Sequence, residues 1–122
     1  MIKTILIADD EPGQIATLEA FLKERGYTVY RATNGEDAFS KAVLHRPDLI
    51  ILDIVMPKMD GTETALALKD NLRTQTIPIF FMTGVISPED QVKVSENPNW
   101  VFAKPVRFHE LLEAIRKIET RL

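Results

Sequence analysis

The sequence predicts an open α/β fold, a doubly wound parallel sheet with helices on both faces. Three observations predict it. The apolar runs are short and continuous, as expected of strands buried on both sides. The segments between them repeat apolar residues at three- and four-residue steps, as helices do. The two kinds of segment alternate five times, which builds a parallel sheet with right-handed crossovers. A chain of 122 residues with 45% hydrophobic and 27% charged residues suits one globular domain.

The elements follow in order. Ile5-Leu6-Ile7-Ala8 reads as the first strand. Pro12 suits the first turn of a helix, Ile15, Leu18, Phe21 and Leu22 form its apolar stripe, and Gly26 stops it. Val29-Tyr30 is the second strand. Asn34-Gly35-Glu36-Asp37 reads as an N-cap with acids in the first turn, leading into Ala38, Phe39, Ala42 and Val43. Leu49-Ile50-Ile51-Leu52 is the third strand. Asp60-Gly61-Thr62-Glu63 has capping-box spacing, with Ala65, Leu66, Leu68 and Leu72 as the expected apolar positions behind it. Ile79-Phe80-Phe81-Met82 is the fourth strand. Ser87-Pro88-Glu89-Asp90 opens a short helical segment anchored by only Val92 and Val94. Trp100-Val101-Phe102-Ala103 is the fifth strand. Phe108, Leu111, Leu112, Ile115, Ile118 and Leu122 form the clearest helical stripe and run to the chain end. No repeat, linker or low-complexity tract interrupts this order, so residues 1–122 are expected to form a single domain.

The totals exclude several classes. A net charge of −3 gives no support to direct nucleic-acid binding, which needs a clustered basic face. The absence of cysteine rules out disulfides, thiolate nucleophiles and thiolate zinc sites. No signal peptide opens the chain and no apolar run is long enough to span a bilayer, so a cytoplasmic location is expected. His45 and His109 lack metal-type partners in sequence and read as surface residues.

The chemistry lies where the strands end. The first run stops at Asp9-Asp10, the third at Asp53, the fourth at Thr83 and the fifth at Lys104-Pro105. In a parallel sheet all strand C-termini share one edge, and α/β proteins bind ligands there. An aspartate pair before proline is by itself an ordinary cap. Asp53 is harder to account for, because a carboxylate ending a Leu/Ile run is costly to desolvate. Placing Asp9 and Asp10 beside it adds like-charge repulsion. A divalent cation removes the conflict, and Mg2+ prefers such hard oxygen ligands. Lys104 adds a second positive charge, and Thr83 a hydroxyl donor. Together these make a receptor for a phosphoryl group. A carboxylate can itself be the nucleophile and form an aspartyl-phosphate. In that scheme Asp53 attacks, Asp9 and Asp10 hold Mg2+, and Lys104 and Thr83 stabilise the added charge.

Asp9-Asp10, the stretch from Asp53 to Gly61, Thr83-Gly84 and Lys104-Pro105 together resemble the receiver domain of bacterial two-component response regulators. The resemblance covers residues 1 to about 120. It implies a flavodoxin-like (βα)5 fold with strand order 2-1-3-4-5. It further implies Asp53 as phosphoacceptor, Asp10 as direct metal ligand, Asp9 acting through water, and the Val55 carbonyl completing the metal site. Thr83 is implied as the switch hydroxyl, Lys104 as the phosphate-pairing lysine, and the Lys104–Pro105 bond as cis. The implied donor is a phosphohistidine on a histidine kinase or histidine phosphotransfer protein. Gln14, Ile15, Arg107 and Phe108 are its expected contacts. Such a protein is a signalling switch rather than an enzyme. Its homodimer or target surface is expected on the Ser87 segment, the fifth strand and the last helix.

The sequence also departs from that family. Val101 stands where an aromatic switch side chain is common, between Trp100 and Phe102. Val55 and Val85 lie two residues after the phosphoacceptor and the switch hydroxyl. Neither can orient an attacking water, so slow self-hydrolysis is expected. Three competing readings remain. A phosphate-independent docking module keeps the same fold. An aspartate-nucleophile phosphatase wants an acid where Val55 stands. A flavin carrier wants a hydroxyl- and glycine-rich loop where Asp9-Asp10-Glu11-Pro12 stands.

Overall fold

The computed structural model describes residues 1–84 and 101–120. The expectations for Val85, the Ser87 segment, Trp100 and Leu122 lie outside the described residues. The elements are β1 (Thr4–Ala8), α1 (Pro12–Glu24), β2 (Thr28–Ala32), α2 (Gly35–His45), β3 (Leu49–Asp53), α3 (Gly61–Lys69), β4 (Ile79–Thr83), β5 (Val101–Ala103) and α4 (Phe108–Glu119). The five strands form one sheet in the order β2-β1-β3-β4-β5. Every pair is parallel. This is the expected flavodoxin-like arrangement.

Period-two alternation along the strands divides the core between the two faces. Ile5, Ile7, Leu49, Ile51, Phe80 and Met82 pack with Ile15, Leu18 and Leu22 of α1 and with Leu111, Ile115 and Ile118 of α4. Leu6, Ala8, Ile50, Leu52 and Ile79 pack on the other side with Ala38 and Ala42 of α2 and Leu68 of α3.

The helix ends are as their residues specify. Pro12 is the first residue of α1, and the chain leaves that helix through Gly26 at φ 94°, a conformation easy only for glycine. Asn34 Oδ1 accepts from the Asp37 amide at 2.8 Å. Asp60 and Glu63 form the reciprocal capping box. Arg107 is the N-cap of α4 without a side-chain cap, and its guanidinium instead pairs with Glu110 at 3.5 Å.

Three expectations need correction. Leu66 and Leu72 are not core residues; they are 72% and 88% exposed. α3 turns inward the face of Gly61, Thr64 and Leu68, spaced three and four residues apart. Leu66 lies two residues from Thr64 and so on the opposite side. The helix also ends at Lys69, before Leu72. Ile15 is not a surface contact, being buried against the sheet in the α1 core. The second strand is longer than Val29-Tyr30. His45 is exposed as expected, and its ring stacks on Tyr30 with centroids 4.0 Å apart.

Candidate functional site

Asp9 follows β1, Asp53 ends β3, Thr83 ends β4 and Lys104 follows β5. Ala8 is the register partner of Leu52, Asp53 that of Met82, and Thr83 that of Ala103. The four residues therefore line the C-terminal edge of adjacent strands. Backbone bonds continue the ladders past them: the Ile54 amide donates to Met82 O at 2.9 Å, and the Lys104 amide to Thr83 O at 2.8 Å. The Lys104–Pro105 bond is cis.

Asp53 is 4% exposed, and Asp9 and Thr83 are also buried. Carboxylate oxygens of Asp9, Asp10 and Asp53 lie within 4.8 Å of one another. The Lys104 ammonium lies 2.7 Å from Asp53 Oδ2 and 2.8 Å from Asp9 Oδ2. It is 3.9 Å from Glu11, which sequence reasoning had not placed near the site. Burial pushes the Asp53 carboxyl up from its ordinary 3.8, and the Asp9 charge adds to this; the Lys104 ammonium opposes both. Burial disfavours the charged form of Lys104, but the hydrogen bonds it donates to Asp53 and Asp9 outweigh this and leave the amine above its ordinary 10.5.

The remaining bonds separate the three acids. Asp9 Oδ1 accepts from the Glu11 amide at 2.9 Å, so both Asp9 oxygens have protein partners. Asp53 Oδ1 accepts from the Val55 amide at 3.2 Å. Asp10 is exposed and pairs with no group among the described residues. The donor set fits magnesium. All ligands are hard oxygens, and one carboxylate is open to solvent and unengaged.

Two glycines shape the loop beyond Asp53. A Cβ on Gly61 would lie 2.3 Å from Asp53 O and 2.8 Å from the Ile54 Cα. A Cβ on Gly35 would lie 2.0 Å from Met59 O. In the sequence both read as part of a helix cap, and these contacts between distant segments are not visible there. The available signal was a glycine just inside each of two well-capped helices, where propensity favours almost any other residue. By contrast, a Cβ on Gly84 would meet only Lys104 Cδ at 3.9 Å, an ordinary contact.

A family model for the response regulator receiver domain matches residues 5–116. The chain is 32% identical to Protein PilH of Pseudomonas aeruginosa over 93% of its own length and 95% of that protein. It is 38% identical to the alkaline phosphatase synthesis transcriptional regulatory protein PhoP of Bacillus subtilis over 75% of its length, but spans only 38% of that relative. It spans 20% of a probable cyclic di-GMP phosphodiesterase of Vibrio cholerae. Among solved structures, the signal receiver domain of a signal transduction histidine kinase from Syntrophus aciditrophicus superposes with a TM-score of 0.88 at 33% identity, covering 98% of this chain and 92% of that one. The chemotaxis response regulator CheY4 of Vibrio cholerae gives 0.83 at 28% identity, covering 97% of this chain and 99% of that one. A match that takes in all five strands and enters α4 leaves one assignment: the chain belongs to the response regulator receiver domains of two-component systems.

Proposed function

We propose that the chain is a phosphorylation-activated switch in which Asp53 accepts a phosphoryl group from a phosphohistidine donor. The observation that carries this reading is the buried Asp53 carboxylate with the Lys104 ammonium 2.7 Å from one oxygen and two further aspartates beside it. Receiver domains are signalling domains that bind magnesium at an acidic pocket and interact with histidine kinases or phosphotransfer proteins. Here Asp10, Asp53 and the Val55 carbonyl are assigned to the metal, with Asp9 acting through water. When bound, the metal neutralises charge on the carboxylates and the phosphoryl oxygens.

The chain's own residues do the rest. An Asp53 oxygen attacks phosphorus, an O–P bond forms as the N–P bond of the donor breaks, and the imidazole leaves. Lys104 is free to follow the added charge, because its bonds to Asp9 and Asp53 are ionic and exchangeable. Thr83, at the end of β4, is assigned as the hydroxyl that moves toward the phosphoryl group and draws the following segment with it. Gln14, Arg107 and Phe108 remain the proposed donor contacts. Residues 1–122 are read as one receiver domain working in the cytoplasm. Its output or homodimer surface is assigned to β5, α4 and the Ser87 segment. Val55 is 68% exposed at the site and offers no group to orient water, so the aspartyl-phosphate is expected to hydrolyse slowly. A lifetime of seconds with Mg2+ present would overturn that expectation.

The test is labelling by radioactive acetyl phosphate with and without Mg2+. One phosphoryl group per chain is expected, dependent on Mg2+ and lost in Asp53→Ala. Labelling that persists in Asp53→Ala, or no labelling of the unmodified chain, would overturn the reading and favour a phosphate-independent docking module.

A further inference from the structure

Gly35 presents a contact that its local conformation does not require. It is the first residue of α2, after the Asn34 cap, and its φ lies outside the left-handed region. Any L residue can adopt that backbone, and alanine would favour the helix. What a side chain cannot do is fit. A Cβ there would lie 2.0 Å from Met59 O, 2.3 Å from Thr64 Oγ1 and 2.7 Å from Met59 Cβ. Two of these three atoms belong to the loop between β3 and α3, and the nearest is a backbone oxygen that no rotamer change can move.

That loop is held on its other side as well. Gly61 sits against Asp53 O, and its amide donates to Ile54 O at 2.8 Å. Thr64 is buried, and its hydroxyl donates to Asp60 O at 2.7 Å. The Thr64 amide donates to the same carbonyl at 2.9 Å, so Asp60 O is held twice by one residue. Within the loop, Lys58 at φ 68° and the Met59 amide bonded to Pro57 O at 2.8 Å make a tight reversal. The backbone from 54 to 60 is thus clamped between the end of β3 and the start of α2, and Val55 lies on it.

We propose that Gly35 is a positioning residue for the metal-binding loop: by letting the start of α2 lie directly on the Met59 carbonyl, it sets where the Val55 backbone stands beside Asp53. This rests on the metal assignment made under Proposed function. A side chain at position 35 must push either α2 or the loop. α2 is tied to the sheet by the buried Ala38 and Ala42, and the loop is tied to the same core at one residue, Met56; Val55, Pro57 and Lys58 are exposed, so the loop is the part that yields.

The test is titration of the whole chain with Mg2+ by calorimetry, repeated with Mn2+ by electron paramagnetic resonance. Gly35→Ala is compared with the unmodified chain and with Ile118→Val, a core change under the opposite face of the sheet. Groups that orient a metal's ligands typically cost ten- to a hundredfold in affinity. Gly35→Ala is therefore expected to raise the Mg2+ Kd about tenfold, while Ile118→Val leaves it within about twofold. A Gly35→Ala chain with a lowered Tm and an unchanged Kd would show a packing role only and overturn the proposal. Should Gly35→Ala fail to fold, Thr64→Val decides, since it loosens the same clamp by removing the bond to Asp60 O. A raised Kd supports the proposal and an unchanged one overturns it. If the unmodified chain binds neither ion, the metal assignment itself fails and takes this inference with it. If it binds and the variants bind equally, only this inference fails.

Discussion

Lys104 shows how one side chain makes the acidic edge tolerable. It places a single ammonium between two buried carboxylates, 2.8 Å from Asp9 and 2.7 Å from Asp53. Its folded-state pKa is raised. Its contribution to stability is therefore complete below the ordinary 10.5 and lost only as pH rises through the folded value. The bridge is intact at neutral pH. Lys104→Met leaves two buried like charges without a counter-ion, and such changes cost roughly 3–5 kcal/mol, an upper bound where metal or water can enter. Urea unfolding without metal is expected to show a loss of this order. Mg2+ is expected to restore more stability to the variant than it adds to the unmodified chain, because it takes over the role of the missing cation. Equal gains in the two chains would argue that lysine and metal do not share one pocket.

At the scale of elements, α3 separates what capping and packing contribute. Its Asp60–Glu63 box satisfies two amides that are otherwise unpaired at a helix start. Asp60→Ala is expected to lower stability by about 1–2 kcal/mol. Glu11, the N-cap of α1, makes no side-chain cap bond, and Glu11→Ala is expected to cost less than about 0.5 kcal/mol. On the same α3, Leu68→Ala opens a cavity in the core and should cost roughly 2–5 kcal/mol. Leu66→Lys should stay within about 0.5 kcal/mol, because its side chain already faces solvent. Thermal unfolding of these four variants checks both the capping and the phase of the helix. The apolar residues of α3 were legible in the sequence, but their phase was not. Gly61 and Thr64 occupy two of its three buried positions, and a periodicity based on hydrophobic residues overlooks both.

The molecule as a whole depends on carboxylates at its edges. Asp48 Oδ2 accepts from the Lys3 and Thr4 amides at 2.8 and 3.0 Å and from the Thr4 hydroxyl at 3.2 Å, which ties the approach to β3 to the start of β1. Partial burial pushes this carboxyl up, but those three hydrogen bonds outweigh it and leave it below its ordinary 3.8. Asp60 is lowered in the same way by its capping bonds, and Glu19 by the Arg31 guanidinium beside it. A depressed folded-state pKa gives stability that is present above the unfolded value and lost as pH falls through the folded one. Unfolding free energy is therefore expected to decline as pH drops below the ordinary carboxylate values near 4. Asp48→Asn should be less stable at pH 7 and show a shallower decline below pH 4. A variant with an unchanged acid limb would remove Asp48 from this account.

The order of strands and helices along the chain, the helix caps and the chemical groups at four of the five strand ends were all determined by the sequence itself. Each depends on a few neighbouring residues: a continuous apolar run, a capping side chain, a polar group where the run stops. The sheet edge then follows from topology, which is why Asp9, Asp10, Asp53, Thr83 and Lys104 could be named together from the chain alone. Tertiary structure decided the rest. It turned Leu66 outward, brought Glu11 toward Lys104, left Asp10 as the one acid of the three without a partner among the described residues, and set Gly35 against the Met59 carbonyl. These are contacts between segments distant in sequence, and their ångström-scale fit depends on how helices seat on the sheet, which no local pattern of residues encodes.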